Sequence, residues 1–209
     1  MLLAFDTATS RVTVALHDGT RVVASYAADE AMRHGEMLAP GIERVLAEAG
    51  AGVGDLTAVA VGVGPGPFTG LRVGLVTART LGLTRGVPVH GVCTLDVLAA
   101  EAMDAGLEHF SVATDARRKE VYLASYAGGR RTRGPVVLKP ADAAVTGPVV
   151  GRGAVLYPEA FGDAHGPEQP DAGVLAEVVQ QRRFELLGPD PLYLRRPDAA
   201  TPGTPKRVS

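Results

Sequence analysis

The first residues whose side chains could bind a ligand or take part in catalysis are Asp6, Thr7 and Thr9. They lie on a turn between two short apolar runs. A carboxylate beside two hydroxyls on such a turn suits a metal–phosphate group, so these three are candidate cofactor-binding residues. Aspartate and threonine also form ordinary tight turns, in which their side chains bond to the nearby backbone. The sequence favours this turn interpretation, and ligand binding stays open as the alternative.

The most specific stretch is a glycine- and proline-rich loop at residues 62–70, between a predicted strand and a predicted helix. Backbone N–H groups at a helix N-terminus can bind anions. However, no lysine follows the glycines as in a Walker phosphate loop, and Pro65 and Pro67 lack the N–H donors that a pyrophosphate needs. The glycines are therefore predicted to allow close packing rather than phosphate binding.

The helix after this loop carries small residues at every fourth position, which places them in one stripe. We call Gly70, Gly74, Ala78 and Gly82 the glycine stripe. Each glycine within a helix costs about 1 kcal/mol relative to alanine, a cost tolerated where another backbone comes close. Either the preceding helix of the same domain packs there, or the two helices also form an exposed platform for another subunit. The sequence does not decide between these alternatives.

The sequence contains no self-contained catalytic centre. No two of the five histidines are spaced as metal ligands on one helix. Cys93 is the single cysteine, has no neighbouring His or Lys to activate it, and cannot form an intrachain disulfide. No Gly-x-Ser-x-Gly motif is present. We therefore predict no metal site and no catalytic residue.

The composition is that of a folded globular protein, with 209 residues, 46% hydrophobic, 21% charged and a net charge of −2. No apolar run approaches the roughly 18 residues of a membrane span. The N-terminus lacks a basic leader and a single cysteine fits a reducing compartment, so a cytoplasmic protein without membrane contact is expected. Eighteen of the 21 basic residues are arginine, which we attribute to compositional bias, and tight RNA binding by this chain alone is not expected.

The elements that must position these residues follow a βββαβαβα order in the first half. Strands are predicted at residues 2–5, 12–16, 22–26, 57–63 and 87–92, and helices at 37–49, 69–83 and 95–105, the last capped by Thr94. Three strands followed by β–α alternation are typical of a ribonuclease-H-like α/β domain.

The second half repeats the first, because Asp6 and Asp115 each end a strand whose successor has apolar residues six and eight positions later. Further strands are predicted near 136–138 and 149–150, a helix at about 172–184, and a loop over 147–170. We predict an α/β fold of two tandem ribonuclease-H-like (actin-like) domains, the second reduced. Residues 1–107 form the N-terminal domain with the partner-binding helices, 108–196 the smaller C-terminal domain, and 197–209 a disordered tail.

Five segments of the sequence resemble the TsaB (YeaZ) family, bacterial proteins of the system that makes N6-threonylcarbamoyladenosine in tRNA. They are residues 6–9, 33–36 with Pro40, 64–74, 115–122 and 191–195. The Gly-Pro-Gly-x-Phe-Thr-Gly-x-Arg block is the most specific, and Pro67 stands where the family usually has serine. The resemblance implies two actin-like domains, the second reduced.

The resemblance also implies a function. The chain would be a non-catalytic subunit required for threonylcarbamoyl transfer to N6 of the adenosine next to the anticodon, in tRNAs that read codons beginning with A. It would act by binding and organising the catalytic paralogue TsaD, together with the ATPase TsaE, and would form a homodimer when alone. It would reach tRNA only through the complex and require no cofactor, with ATP or ADP binding left open.

Family members pair through helices of the first domain, and this implies a partner interface on the matching positions. These are Met37, Ile42, Val45, Gly70, Leu71, Gly74, Ala78 and Gly82. In TsaD-like proteins a His-x-x-x-His pair holds a metal, and Thr94 and Leu98 occupy those positions here. Neither can ligate as imidazole does, so this chain is not expected to be an enzyme by itself.

Two alternatives remain open at this point. The chain could be a small actin-fold ATPase or phosphotransferase that uses Asp6 and Asp115 around a metal nucleotide. It could also be a self-sufficient homodimeric interaction protein.

Overall fold

A computed structural model describes residues 1–29 and 34–195 of the chain. The first half forms a five-stranded sheet of order β3-β2-β1-β4-β5. Its strands and helices are β1 (Leu2–Asp6), β2 (Arg11–His17), β3 (Val22–Asp29), α1 (His34–Glu48), β4 (Ala58–Gly62), α2 (Phe68–Arg85), β5 (Val89–Val92) and α3 (Thr94–Asp104). The predicted βββαβαβα order is confirmed.

The second half forms another five-stranded sheet, of order β10-β9-β6-β7-β8. Its elements are β6 (His109–Asp115), β7 (Val121–Ala127), β8 (Arg130–Leu138), β9 (Val149–Val150), α4 (Arg152–Leu156), α5 (Pro158–Phe161), β10 (Ala164–His165) and α6 (Ala172–Gln181). The fold is α/β with two actin-like domains, as predicted. The second domain is reduced: it keeps a five-stranded sheet, but its helices α4 and α5 are short. The stretch 147–170, predicted as loop, contains two short strands and two short helices.

Strand β1 is buried on both faces, because helices cover both sides of the first sheet. Leu3 and Phe5 pack with the apolar side of α1 and α2. Leu2 and Ala4 point to the other face, where they pack against α6 and α3. Alternation along a strand sends successive side chains to opposite faces, so a strand covered on both sides has a continuous apolar sequence.

Helix α6 follows the second sheet in the chain but packs on the first one, against Ala15 and Ala60. Helix α3 is shared between the two sheets, since Leu95, Leu98 and Ala102 pack with residues of β6 and β7 such as Phe110. The two halves therefore share buried surface through these two helices. The predicted tail 197–209 and Arg33 lie outside the described residues, and no described helix has the length and apolar character to span a bilayer.

Candidate functional site

Asp6, at the end of β1, has no solvent exposure. Its Oδ1 accepts a hydrogen bond from the Ala8 N–H at 2.7 Å, and its Oδ2 accepts one from the Thr94 hydroxyl at 2.7 Å. Burial raises the pKa of Asp6 to about 6, although both hydrogen bonds favour the charged form and oppose that rise. The carboxylate thus joins the β1–β2 turn to the start of α3.

Thr7 is also buried, and its hydroxyl bonds to the backbone of α2. It donates to the Gly70 carbonyl at 2.8 Å and accepts from the Gly74 N–H at 3.1 Å. Thr9 is half-buried, and its hydroxyl accepts from the Arg11 N–H at 3.3 Å. Of the three residues predicted to bind a cofactor, Thr9 lines a cavity. The contacts of Asp6 and Thr7 are those of a structural turn.

Thr94 does not cap α3 as predicted, because α3 begins at Thr94 itself and Cys93 precedes it as the N-cap residue. The Thr94 hydroxyl instead donates to Asp6 and accepts from the Gly64 N–H at 3.2 Å. Leu98 lies in the core between the two sheets. Within the described ranges, no cluster of three His, Cys, Asp or Glu side chains could hold a metal ion.

The glycine-rich loop between β4 and α2 packs tightly against the β1–β2 turn. A Cβ atom on Gly66 would lie 2.9 Å from the Ala8 carbonyl carbon, and one on Gly62 would lie 2.8 Å from Asp6 Oδ1. Real Cβ atoms essentially never come within 3.0 Å of another residue's atoms, as these two would. The interpretation of these glycines as packing residues is confirmed.

The glycine stripe faces the first sheet. A Cβ atom on Gly70 would lie 2.6 Å from the Thr7 carbonyl oxygen, one on Gly74 would lie 2.5 Å from the Thr7 hydroxyl, and one on Gly82 would lie 3.3 Å from the Val87 carbonyl oxygen. All members of the stripe are buried. The small residues of the stripe therefore let Thr7 reach the α2 backbone, and whether α1 and α2 also form a platform for another subunit stays a prediction.

The same burial applies to most of the interface positions implied by the resemblance. Met37 is half-buried, and the side chains of Ile42, Val45, Leu71 and Ala78 lie in the core. Whether α1 and α2 contact a partner stays a prediction. These side chains and the stripe would support such an interface from behind.

The outward face of α2 carries exposed apolar side chains. Val76 is 56% exposed and Leu83 is 85% exposed, and they are seven positions apart, so they lie on one side of the helix. At the start of α2, Phe68 stacks on Tyr193 with ring centroids 5.5 Å apart, and the Arg72 guanidinium lies 4.8 Å from the Phe68 ring centroid. Phe68, Arg72 and Val76 line a shallow groove on this face.

The segment 186–195 lies across the first half and ends at the second. Leu187 bonds to Gly91 on β5, and the Leu192 N–H donates to the Val63 carbonyl at 2.9 Å. Arg195 pairs with Glu120 and donates to the Ala116 carbonyl. The motif 191–195 thus places Tyr193 on α2 and connects the two halves.

A cavity of about 210 Å³ lies between the two aspartate-ended turns. Asp115 lines it, accepts from the Arg117 N–H at 2.8 Å, and has a side chain 25% exposed. Asp6 lies behind the opposite turn without exposure. The other lining residues include Ser10, Thr114, Arg152 and Gln169, none of which sequence analysis singled out. They come from separate segments, so no sequence pattern connects them.

A buried polar cluster lies between α3 and the second sheet. The Tyr126 hydroxyl donates to Asp96 Oδ1 at 2.7 Å, and Arg131 lies 3.6 Å from the same oxygen. Burial raises the pKa of Asp96, and burial together with the Asp96 charge raises the pKa of Cys93 to about 12. Arg131 therefore pairs with the buried Asp96 carboxylate, and the Cys93 thiol is not an activated nucleophile.

Two actin-like domains with a cleft between aspartate-ended turns define the class of this protein: an actin-like α/β protein. Residues 22–157 match the family model described as "TsaD: tRNA N6-adenosine threonylcarbamoyltransferase". The structure is similar to YeaZ from Pseudomonas aeruginosa, with a TM-score of 0.79 and 31% identity, covering 92% of this chain and 99% of that one. The chain belongs to the TsaB (YeaZ) family.

Two relatives extend the comparison. An uncharacterized protein of Mycobacterium tuberculosis is 41% identical over 207 residues, which is 95% of this chain and 93% of that protein. The Escherichia coli "tRNA threonylcarbamoyladenosine biosynthesis protein TsaB" is 39% identical over 127 residues, which is 60% of this chain and 54% of that protein. The resemblance inferred from the sequence is confirmed.

Proposed function

We propose that this protein is a non-catalytic subunit of tRNA N6-threonylcarbamoyladenosine synthesis. In this role it binds and organises a TsaD-type catalytic paralogue, and it is required for threonylcarbamoyl transfer to the adenosine next to the anticodon. Family membership supports the pathway. The observation that carries the subunit role is the exposed apolar row Val76 and Leu83 on α2.

The lack of catalysis is part of this proposal. The two positions that match the metal-binding histidines of TsaD-like proteins hold Thr94, bonded to Asp6, and Leu98, buried in the core. The alternative ATPase activity requires Asp6 and Asp115 to act on one nucleotide, and the burial of Asp6 argues against it. Calorimetry with Mg-ATP distinguishes the subunit role from the ATPase activity. The ATPase alternative predicts nucleotide binding that is lost in Asp6→Ala, whereas the subunit proposal predicts no binding that depends on Asp6.

The partner surface is the exposed face of α2 together with the adjoining side of α1. A charge placed in an apolar interface centre weakens binding, so we expect Val76→Asp and Leu83→Asp each to lower paralogue affinity about tenfold or more. Leu156→Asp is the matched control, because Leu156 is 40% exposed but belongs to the second half. Size-exclusion chromatography and calorimetry with the cognate paralogue measure the affinity of each of the three variants. Equal binding by all three variants would contradict the proposed surface.

Pairing with itself would use the same face of α2. The protein is then a homodimer when alone, and the paralogue displaces one subunit. We further propose that it works in the cytoplasm with a TsaE-type ATPase and meets tRNA only within the complex. Light scattering of Leu83→Asp should show monomer, and adding the paralogue to the unaltered protein should reduce the dimer.

An omission assay tests the function directly. Incorporation of the threonylcarbamoyl group into tRNA is followed with the paralogue, the ATPase and the adenylate synthase, with and without this chain. We expect loss of product on omission and no product from this chain with the adenylate alone. Unchanged product on omission would remove the proposal.

The domain boundaries 1–107 and 108–196 also remain a proposal. Because α6 covers one face of the first sheet, residues 1–107 expressed alone would expose Leu2 and Ala4 and should aggregate.

A further inference from the structure

The cavity between the two halves contains polar atoms that the protein itself does not satisfy. Thr114 is 2% exposed, and its hydroxyl oxygen has no hydrogen-bond partner among the described residues. The Gln169 Oε1 is also buried and unpaired there, while its Nε2 donates to the Ser10 hydroxyl at 3.1 Å. Both residues line the same cavity. Buried polar groups normally have a protein or water partner, so these two atoms offer hydrogen-bonding capacity to a polar molecule in the cavity.

The cavity carries both signs of charge. Asp115 supplies a carboxylate, and Arg117 and Arg152 supply guanidinium groups. The Arg152 Nη1 donates to Glu168 at 2.7 Å, which uses one of the five N–H donors of a guanidinium. The Arg117 Nη1 lies 3.4 Å from Asp115 Oδ2, which is within ion-pair range but longer than the about 2.7–2.9 Å of a charge-assisted hydrogen bond. A ligand with one negative and one positive group could therefore satisfy each side.

The turn that presents Arg117 has an unusual backbone. Arg117, Arg118 and Lys119 have φ angles of 62°, 55° and 59°, in the left-handed region that residues other than glycine rarely adopt. The Arg117 N–H bond to Asp115 and the Glu120 N–H bond to the Arg117 carbonyl hold this turn. Backbone strain of this kind persists where surrounding structure imposes it, and it is frequent at ligand sites.

The size of the cavity limits the ligand. Its volume of about 210 Å³ lies below the range of about 300–1,000 Å³ in which drug-sized ligands bind. It adjoins a larger open groove, which shares Ser10, Arg152 and Gln169 with it and offers a route of entry.

We propose that this cavity binds a small zwitterion of α-amino-acid size. Its carboxylate lies at Arg117 and Arg152, and its ammonium group lies at Asp115 and the Gln169 Oε1. The Thr114 hydroxyl bonds to the ligand at the bottom of the cavity. This binding is separate from the partner surface on α2, so the two proposals can fail independently.

The test uses the full-length protein and the twenty L-amino acids at millimolar concentration, measured by saturation-transfer NMR and then by calorimetry. Ethylamine and propionate, which each carry one of the two charges of alanine, are the ligand controls. We expect at least one amino acid to bind at a single site and both controls to bind more weakly. Absence of binding by every amino acid, or equal binding of a single-charge control, would overturn the proposal.

Two variants assign the binding to this cavity. Thr114→Val keeps the shape of the side chain and removes the unpaired hydroxyl. Arg152→Gln removes one charge, whose ion-pair side chains on Arg152 and Glu168 are 42% and 50% exposed. Each should weaken amino-acid binding about tenfold or more while the protein stays folded. Thr80→Val, on the exposed side of α2, is the matched control and should not change binding. Binding that is unchanged in both cavity variants would place the ligand elsewhere and refute the assignment.

Discussion

The burial of the Asp6 carboxylate makes a quantitative prediction about how stability depends on pH. The pKa of Asp6 rises from 3.8 to about 6 because the carboxylate is buried. Each unit corresponds to 1.36 kcal/mol, so the charged carboxylate costs the folded state about 3 kcal/mol above pH 6. The native state binds the proton more tightly than the unfolded state, and stability therefore falls as pH rises from about 4 to about 6.

Asp6→Asn isolates this contribution from those of other titrating groups. The amide stays neutral, so the free energy of unfolding of the variant minus that of the unaltered protein should rise by about 3 kcal/mol between about pH 4 and pH 7. Urea denaturation at a series of pH values measures the free energy of unfolding of both proteins. The dependence of that free energy on urea concentration, the m-value, shows whether the two proteins expose a similar surface on unfolding. Thr94 is the partner to vary next.

Thr94→Val removes a hydrogen bond that lowers the pKa of Asp6. The pKa should rise further, and the pH-dependent loss of stability should extend above pH 6. A hydrogen bond to a buried charged group contributes about 1.5–3 kcal/mol, which is the coupling expected in a double-mutant cycle at pH 7. A pH-independent difference for Asp6→Asn, or a coupling near zero, would refute the burial of this carboxylate against α3.

Three further predictions concern the packing around α2 and α3. Gly74→Leu should lower stability by about 1–3 kcal/mol or prevent folding, seen in thermal melts, because its Cβ would meet the Thr7 hydroxyl; a folded variant that loses only partner binding would contradict this. Cys93 should react with a thiol reagent only after unfolding, because burial raises its pKa to about 12; rapid reaction of the native protein would show an accessible thiol. Tyr126→Phe should destabilise the protein by about 1–3 kcal/mol in urea titrations by removing a donor to Asp96, and no change would mean that this hydrogen bond contributes little.

The sequence determined the order of elements and the family of this protein. Apolar runs and helical periodicity are local signals, and for that reason the βββαβαβα order, the repeated strand ending in Asp6 and Asp115, and the packing role of the glycine-rich loop were all predictable. The block at residues 64–72 carried the family resemblance because its spacing is specific.

The tertiary structure decided what each pattern faces. Periodicity shows that Gly70, Gly74 and Gly82 share one side of a helix, but the contact with Thr7 and Val87 depends on how α2 lies on the sheet. Thr94 looked like a cap in sequence and instead bonds to Asp6, 88 residues away in the chain. The cavity residues come from distant segments, and helix α6 crosses to the first sheet, because buried surface is matched in three dimensions and leaves no local trace in the sequence.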